Sequence, residues 1–185
     1  MRRIAILFSG KGTNLHYILE MLHGTKIEVA TALTDNPDAE GITIAKQYAI
    51  PLKIVDPKSF GTREAFDAEV VSHLRKYQPD LTVLAGFMRI LSPVFTAQIR
   101  AINLHPSLLP RHKGLHAIEK SYADPFEEGG VTVHWVSSEL DGGEIILQKK
   151  IPKKGLSYEA YEAAVKKIEK EALAEAIQSI LTKNI

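Results

Sequence analysis

The run IAILFSGKGTNL, residues 4–15, decides the fold. Ile4 to Phe8 is apolar without alternation, the pattern of a strand buried on both faces of a parallel sheet. Ser9 to Asn14 interrupts it with two glycines, and Leu15 to Leu22, LHYILEML, then carries its apolar residues at helical spacing. A buried strand that turns through glycine into an amphipathic helix is the opening unit of an alternating α/β chain.

The alternation continues outward from that unit. Glu28 to Thr34 reads as the second strand, Ala39 to Ala49 as the second helix, and Leu52 to Val55 as a short third strand opened by Pro51. A helix from about Thr62 to Tyr77 places Ala65, Phe66, Val70 and Leu74 on one face, and Pro79 precedes a strand from Leu81 to Gly86 that belongs in the centre of the sheet. Ser92-Pro93 is a helix start. After NLHPSLLP, residues 103–110, the grammar changes. Val131 to Val136 and Glu144 to Ile151 are separated only by SSELDGG, too short for a crossover helix, so they should pair antiparallel. Ser157 is the N-cap of a last helix from Tyr158 to about Leu181. The expectation is an α/β fold, Rossmann-like and single-domain over residues 1–185. It should have a mostly parallel twisted sheet, helices on both faces and an antiparallel C-terminal strand, with halves of about 1–100 and about 101–185.

Composition narrows the function classes. With 45% hydrophobic and 24% charged residues in 185, the chain is an ordinary globule with enough apolar surface for one sizeable core. A formal net charge of +1 gives no pull toward nucleic acid or an anionic membrane, and points to small-molecule ligands. There is no cysteine, which excludes disulfides and thiol nucleophiles. The apolar run after the N-terminal arginines is too short for a signal-peptide core, and no segment approaches the roughly 20 apolar residues of a membrane span, so the expected location is cytoplasmic.

Two segments carry candidate chemistry. SGKGTN, Ser9 to Asn14, joins a strand to a helix N-terminus, where free backbone amides and the helix dipole favour an anion. It matches neither common phosphate fingerprint, since Leu15 stands where the dinucleotide pattern needs its third glycine. The alternatives are a phosphate cradle and a tight turn capped by Thr13 or Asn14. In NLHPSLLP, the proline forbids continuation of a paired central strand, so the chain must leave the sheet there. Asn103 and His105, two apart, project to one side, a neutral donor beside a group that transfers protons near neutral pH, as suits a developing oxyanion in acyl transfer. Asp141 in ELDGG is either a carboxylate near His105, raising its pKa, or simply a turn residue. His112 and His116 are four apart, but Gly114 interrupts any helix between them, and no acidic ligand set accompanies them, so no metal is expected. The apolar members of FMRIL, Phe87 to Leu91, read as core or as a pocket wall, core being the simpler reading, with Arg89 undecided.

SGKGTNL, LAGFMRIL, NLHPSLLP, GLH and ELDGGEIILQ, in this order, resemble the glycinamide ribonucleotide formyltransferase family of purine synthesis over nearly the whole chain. The resemblance implies transfer of a formyl group from 10-formyltetrahydrofolate, as cosubstrate, to the amine of 5'-phosphoribosylglycinamide (GAR), with no metal. It implies Asn103, His105 and Asp141 as catalytic residues. Gly12, Thr13, Asn14, Pro106, Ser107 and Glu169 fall on the GAR side, the loop taking the phosphate and Glu169 lying near the ribose. Arg63, Met88, Arg89, Ile90, Leu91, Val136, Leu140 and Asp141 fall on the folate side, and Gly114 to His116 along the substrate cleft. Its partners would be these small molecules alone, without nucleic acid or membrane, in a monomer or homodimer. The chain departs from the family pattern at RHKGLH, where an aromatic residue and a proline are commoner before the glycine, and at Gly129, where histidine is frequent. Two alternatives stay open: a formyltetrahydrofolate hydrolase, expected to carry an extra N-terminal domain, and a non-catalytic nucleotide-binding protein. A methionyl-tRNA formyltransferase would need a further C-terminal domain.

Overall fold

The computed structural model describes residues 1–25 and 27–182. Its strands are β1 (Arg2–Phe8), β2 (Ile27–Thr34), β3 (Leu52–Ile54), β4 (Leu81–Leu84), β5 (Ala101–His105), β6 (Glu128–Trp135) and β7 (Ile145–Pro152). Its helices are α1 (Thr13–Met21), α2 (Gly41–Gln47), α3 (Arg63–Tyr77), α4 (Pro93–Thr96), α5 (Ala117–Ala123) and α6 (Tyr158–Thr182). The fold is α/β, with strand order β3-β2-β1-β4-β5-β6-β7. The chain clusters into two compact units, Met1–Ile102 and Asn103–Ile185.

In the first unit β1 pairs in parallel with both β2 and β4, so it is internal and must be apolar on both faces. Ile4, Ala5, Ile6, Leu7 and Phe8 are all fully buried. Thr62 caps α3 by accepting from the Ala65 amide at 3.1 Å, and Phe66, Val70 and Leu74 form its buried face. The chain runs from β1 outward through β2 and β3, then returns to place β4 on the other side of β1. That reversal is a topological switch point, the place at the carboxyl ends of the strands where open α/β sheets bind ligands.

In the second unit β6 and β7 pair antiparallel from Glu128↔Pro152 to His134↔Ile145, as the short connection demands. Ser157 Oγ accepts from the Ala160 amide at 3.1 Å, and α6 buries Tyr161, Val165, Leu173 and Ile177. Helix α5 was not anticipated. It follows three left-handed positions, His112, Gly114 and His116, and buries only Ala117 and Ser121, too short an apolar stripe to stand out. A single 3-10 turn at Pro57–Ser59 is the other unanticipated element.

Candidate active site

In the first unit, the loop after β1 and the loop after β4 are tied together. The Ser9 amide donates to Gly86 O at 3.0 Å and the Met88 amide donates to Ser9 Oγ at 2.9 Å. The far end of the second loop is fixed by the Ser92 amide, which donates to buried Asp67 Oδ2 at 2.6 Å. Gly12 is the N-cap of α1 in the left-handed conformation (φ 74°), and among the described residues no side chain caps the helix. Neither Thr13 nor Asn14 caps the helix, as the tight-turn reading required. Asn14 is buried with its Oδ1 unpartnered among the described residues.

The FMRIL loop divides in two. Phe87 and Leu91 are core, as expected, but Met88 and Ile90 are 72% and 54% exposed, so the core reading fails for them. Side chains at alternating positions of an extended loop point to opposite sides, and only one side here meets the interior. Arg89 lies over the Phe66 ring at 4.9 Å, and Arg63 is exposed at the first turn of α3.

The second unit gathers a polar cluster. His105 Nδ1 lies 3.5 Å from Asp141 Oδ2, and its Nε2–H donates to the His112 carbonyl at 2.8 Å. Asn103 Nδ2 stands 3.4 Å from His134 Nε2, which is 3.7 Å from Asp141 Oδ1. Asp141 is buried, accepts the Gly114 amide at 2.9 Å, and has a left-handed backbone (φ 52°). Asn103, His105 and Asp141 are thus brought together, and His134 joins them.

His134 was missed at the level of sequence. Its signal was the pair Thr132 and His134 on one face of β6, polar residues that are both buried. His134 Nδ1–H donates to Trp135 O at 2.9 Å, leaving Nε2 as an acceptor. Burial pushes its pKa down, as does nearby His105, against the Trp135 carbonyl and Asp141. The neutral ring therefore receives the Asn103 amide and orients it.

The remaining predicted positions lie elsewhere in the second unit. Ser107 is fully buried and donates its hydroxyl to Arg111 O at 2.6 Å, while Pro106 is half-buried. Val136 is half-buried, Leu140 is 52% exposed on the loop that carries Asp141, and Glu169 is buried on α6.

The family described as "Formyl transferase" matches residues 2–177. The chain belongs to the formyl transferase family. Among curated relatives of this formyl transferase, the "Phosphoribosylglycinamide formyltransferase" of Escherichia coli (strain K12) is 42% identical over 153 residues, 80% of this chain and 72% of that protein. The "Trifunctional purine biosynthetic protein adenosine-3" of Drosophila melanogaster is 37% identical over 157 residues, 82% of this chain and 12% of that protein. Among solved structures, phosphoribosylglycinamide formyltransferase from Campylobacter jejuni subsp. jejuni NCTC 11168 superposes with a TM-score of 0.95 at 48% identity, covering 97% of each chain. Among the described residues no helix of this formyl transferase is long and apolar enough to cross a membrane.

Proposed function

We propose that this chain transfers the formyl group of 10-formyltetrahydrofolate to the amine of 5'-phosphoribosylglycinamide, giving N-formyl-GAR and tetrahydrofolate in de novo purine synthesis. The observation that carries the reading is the convergence of Asn103, His105 and Asp141 within 4 Å contacts of one another or of His134. It occurs in a formyl transferase whose relatives are named for that activity.

In the reaction the acceptor amine attacks the formyl carbon, forming a carbon–nitrogen bond and an oxyanion. The bond to the donor nitrogen then breaks, and one proton passes from the incoming amine to the leaving nitrogen. Asn103 has two N–H bonds, of which one points at His134 and the other serves the oxyanion. His105 is the second group of the site, its Nε2–H held by the His112 carbonyl and its Nδ1 facing Asp141, so the donor to the oxyanion is Asn103. A preorganised donor of this kind is worth roughly 10² to 10³ in rate. Asp141 faces both imidazoles and, through water, carries the proton between the two nitrogens.

For binding, Gly12, Thr13 and Asn14 take the acceptor phosphate, a role supported by the uncapped N-terminus of α1 at the switch point. Pro106, Ser107 and Glu169 are assigned to the rest of the acceptor. The folate donor is assigned to Arg63, Met88, Arg89, Ile90 and Leu91, and to Val136, Leu140 and Asp141. Exposed Met88 and Ile90 suit contact with a flat heteroaromatic ring.

The test is the rate of tetrahydrofolate formation by purified protein from a 10-formyl donor, with and without the ribonucleotide. Release that requires the ribonucleotide supports the transferase. Equal release without it makes the chain a hydrolase, and no release overturns both.

A further inference from the structure

The short segment from Arg111 to Gly114 is pinned at nearly every residue. Ser107 Oγ holds the Arg111 carbonyl, and Arg111 itself donates to Glu128 O at 3.1 Å and stacks over Phe126 at 3.7 Å. Asp141 holds the Gly114 amide. Between them His112 has a left-handed backbone (φ 53°), a conformation that a residue other than glycine keeps only where its surroundings over-determine it.

What determines it is a second ion cluster. His112 Nε2–H donates to Asp124 Oδ2 at 2.7 Å, and Lys153 Nζ donates to Asp124 Oδ1 at 2.7 Å. Lys153 also donates to Ser121 O at 2.7 Å and Asp124 O at 3.0 Å, closing the carboxyl end of α5. Its side chain is 10% exposed and that of Asp124 is 8% exposed, so this is a desolvated, hydrogen-bonded pair rather than a surface contact. Burial alone would raise the Asp124 pKa, but hydrogen bonds from Lys153 and His112 outweigh it and hold the carboxyl below its usual range.

The backbone carbonyl of the same His112 is the acceptor for His105 Nε2–H. A hydrogen bond at one imidazole nitrogen sets what the other can do. With Nε2–H committed to a fixed carbonyl, the His105 ring is oriented with Nδ1 toward Asp141. We infer that His112, clamped by Asp124 and Lys153, is a positioning residue that holds the His105 ring by its carbonyl and so fixes which ring nitrogen meets Asp141. This rests on the formyl-transfer reading only for its kinetic consequence.

The experiment has two independent readouts on the whole protein. The first is the ¹⁵N imidazole spectrum of His105 without substrates. Nitrogen-bound hydrogen at Nε2 is expected in the parent, and in His112→Gln, where the amide keeps a donor at similar reach to Asp124. That preference should be lost in His112→Ala. The second is steady-state kinetics, where His112→Ala should lower kcat about 10- to 100-fold, the range for misplacing a reacting group, with KM for both substrates little changed. His112→Gln should restore most of it. A parent His105 in the neutral form with hydrogen at Nδ1 alone overturns the inference without any variant. So does a folded His112→Ala with parental spectrum and kcat. If the spectrum changes but no formyl transfer is found in any form, the positioning role stands and the reaction assignment falls.

Discussion

The amide nitrogen of Asn103 lies 3.4 Å from Nε2 of His134, a ring that burial keeps neutral and that already donates its Nδ1–H to Trp135 O. The only unprotonated ring nitrogen therefore faces the amide, so the hydrogen bond runs from Asn103 to His134. Asn103→Ala should leave the fold intact and lower kcat roughly 10² to 10³-fold, as loss of an oxyanion donor does. His134→Phe should lower it less, since Asn103 remains but is no longer oriented. Equal losses would show that His134 does more than orient, and parental kcat in Asn103→Ala would sink the assignment.

Asp141 sits at φ 52°, a conformation that asparagine adopts readily. Asp141→Asn keeps an acceptor for the Gly114 amide and removes the charge facing His105 and His134. The expected outcome is an unchanged melting temperature with kcat reduced by at least about 10²-fold, the scale of acid–base catalysis. Retained activity in a folded Asn variant would show that the carboxylate is structural.

A Cβ at Gly12 would lie 2.7 Å from Gly41 Cα, on top of a positive φ that disfavours any other residue. Gly12→Ala must therefore shift the loop whose amides are assigned the phosphate. KM for the ribonucleotide should rise well above that for the folate donor. Equal rises in both would argue for general loosening instead.

Two buried histidines tie stability to pH. His73 is held below its ordinary pKa by burial, then by Lys53 and Lys76, against Glu69, and it hydrogen-bonds Thr31 Oγ1 at 2.8 Å. His134 is also depressed, chiefly by burial. Above about pH 6.5 these groups are neutral in both states; below it the unfolded chain binds protons that the folded one resists. Their contribution to stability is present at neutral pH and is lost as pH falls from about 6.5 through the depressed folded values. Urea midpoints measured from pH 8 to 5 should decline, and His73→Gln should flatten the slope.

At Gly129 a Cβ would overlap the hydroxyl of fully buried Tyr161. Gly129→Ala should destabilise the protein by about 1–3 kcal/mol, the cost of overpacking a core. Tyr161→Phe in the same chain should recover part of that. Additive losses in the double variant would place the strain elsewhere.

The parallel strands of the first unit and the antiparallel β6–β7 pair of the second were legible because their signals are local. Five apolar residues before a glycine turn, and a connection of nine residues between β6 and β7 that is too short for a crossover helix, each leave one physical solution. Helix α5 and His134 were not legible. The helix has only two buried side chains, and a histidine in a β run looks the same whether it orients an amide or meets solvent. Met88 and Ile90 failed for a related reason, since hydrophobicity alone does not say which side of a loop is covered.

By itself the sequence determined the alternation of strands and helices through β4, the antiparallel β6–β7 pair, the glycine loop at a helix N-terminus, and the family to which Asn103, His105 and Asp141 point. Backbone propensity and motif spacing depend only on neighbours along the chain. Tertiary structure alone decided that His134 faces Asn103, that the His112 carbonyl holds His105, and that Asp124 and Lys153 hold His112. Hydrogen bonds between residues distant in sequence depend on distances of a few ångströms, which only the folded chain sets.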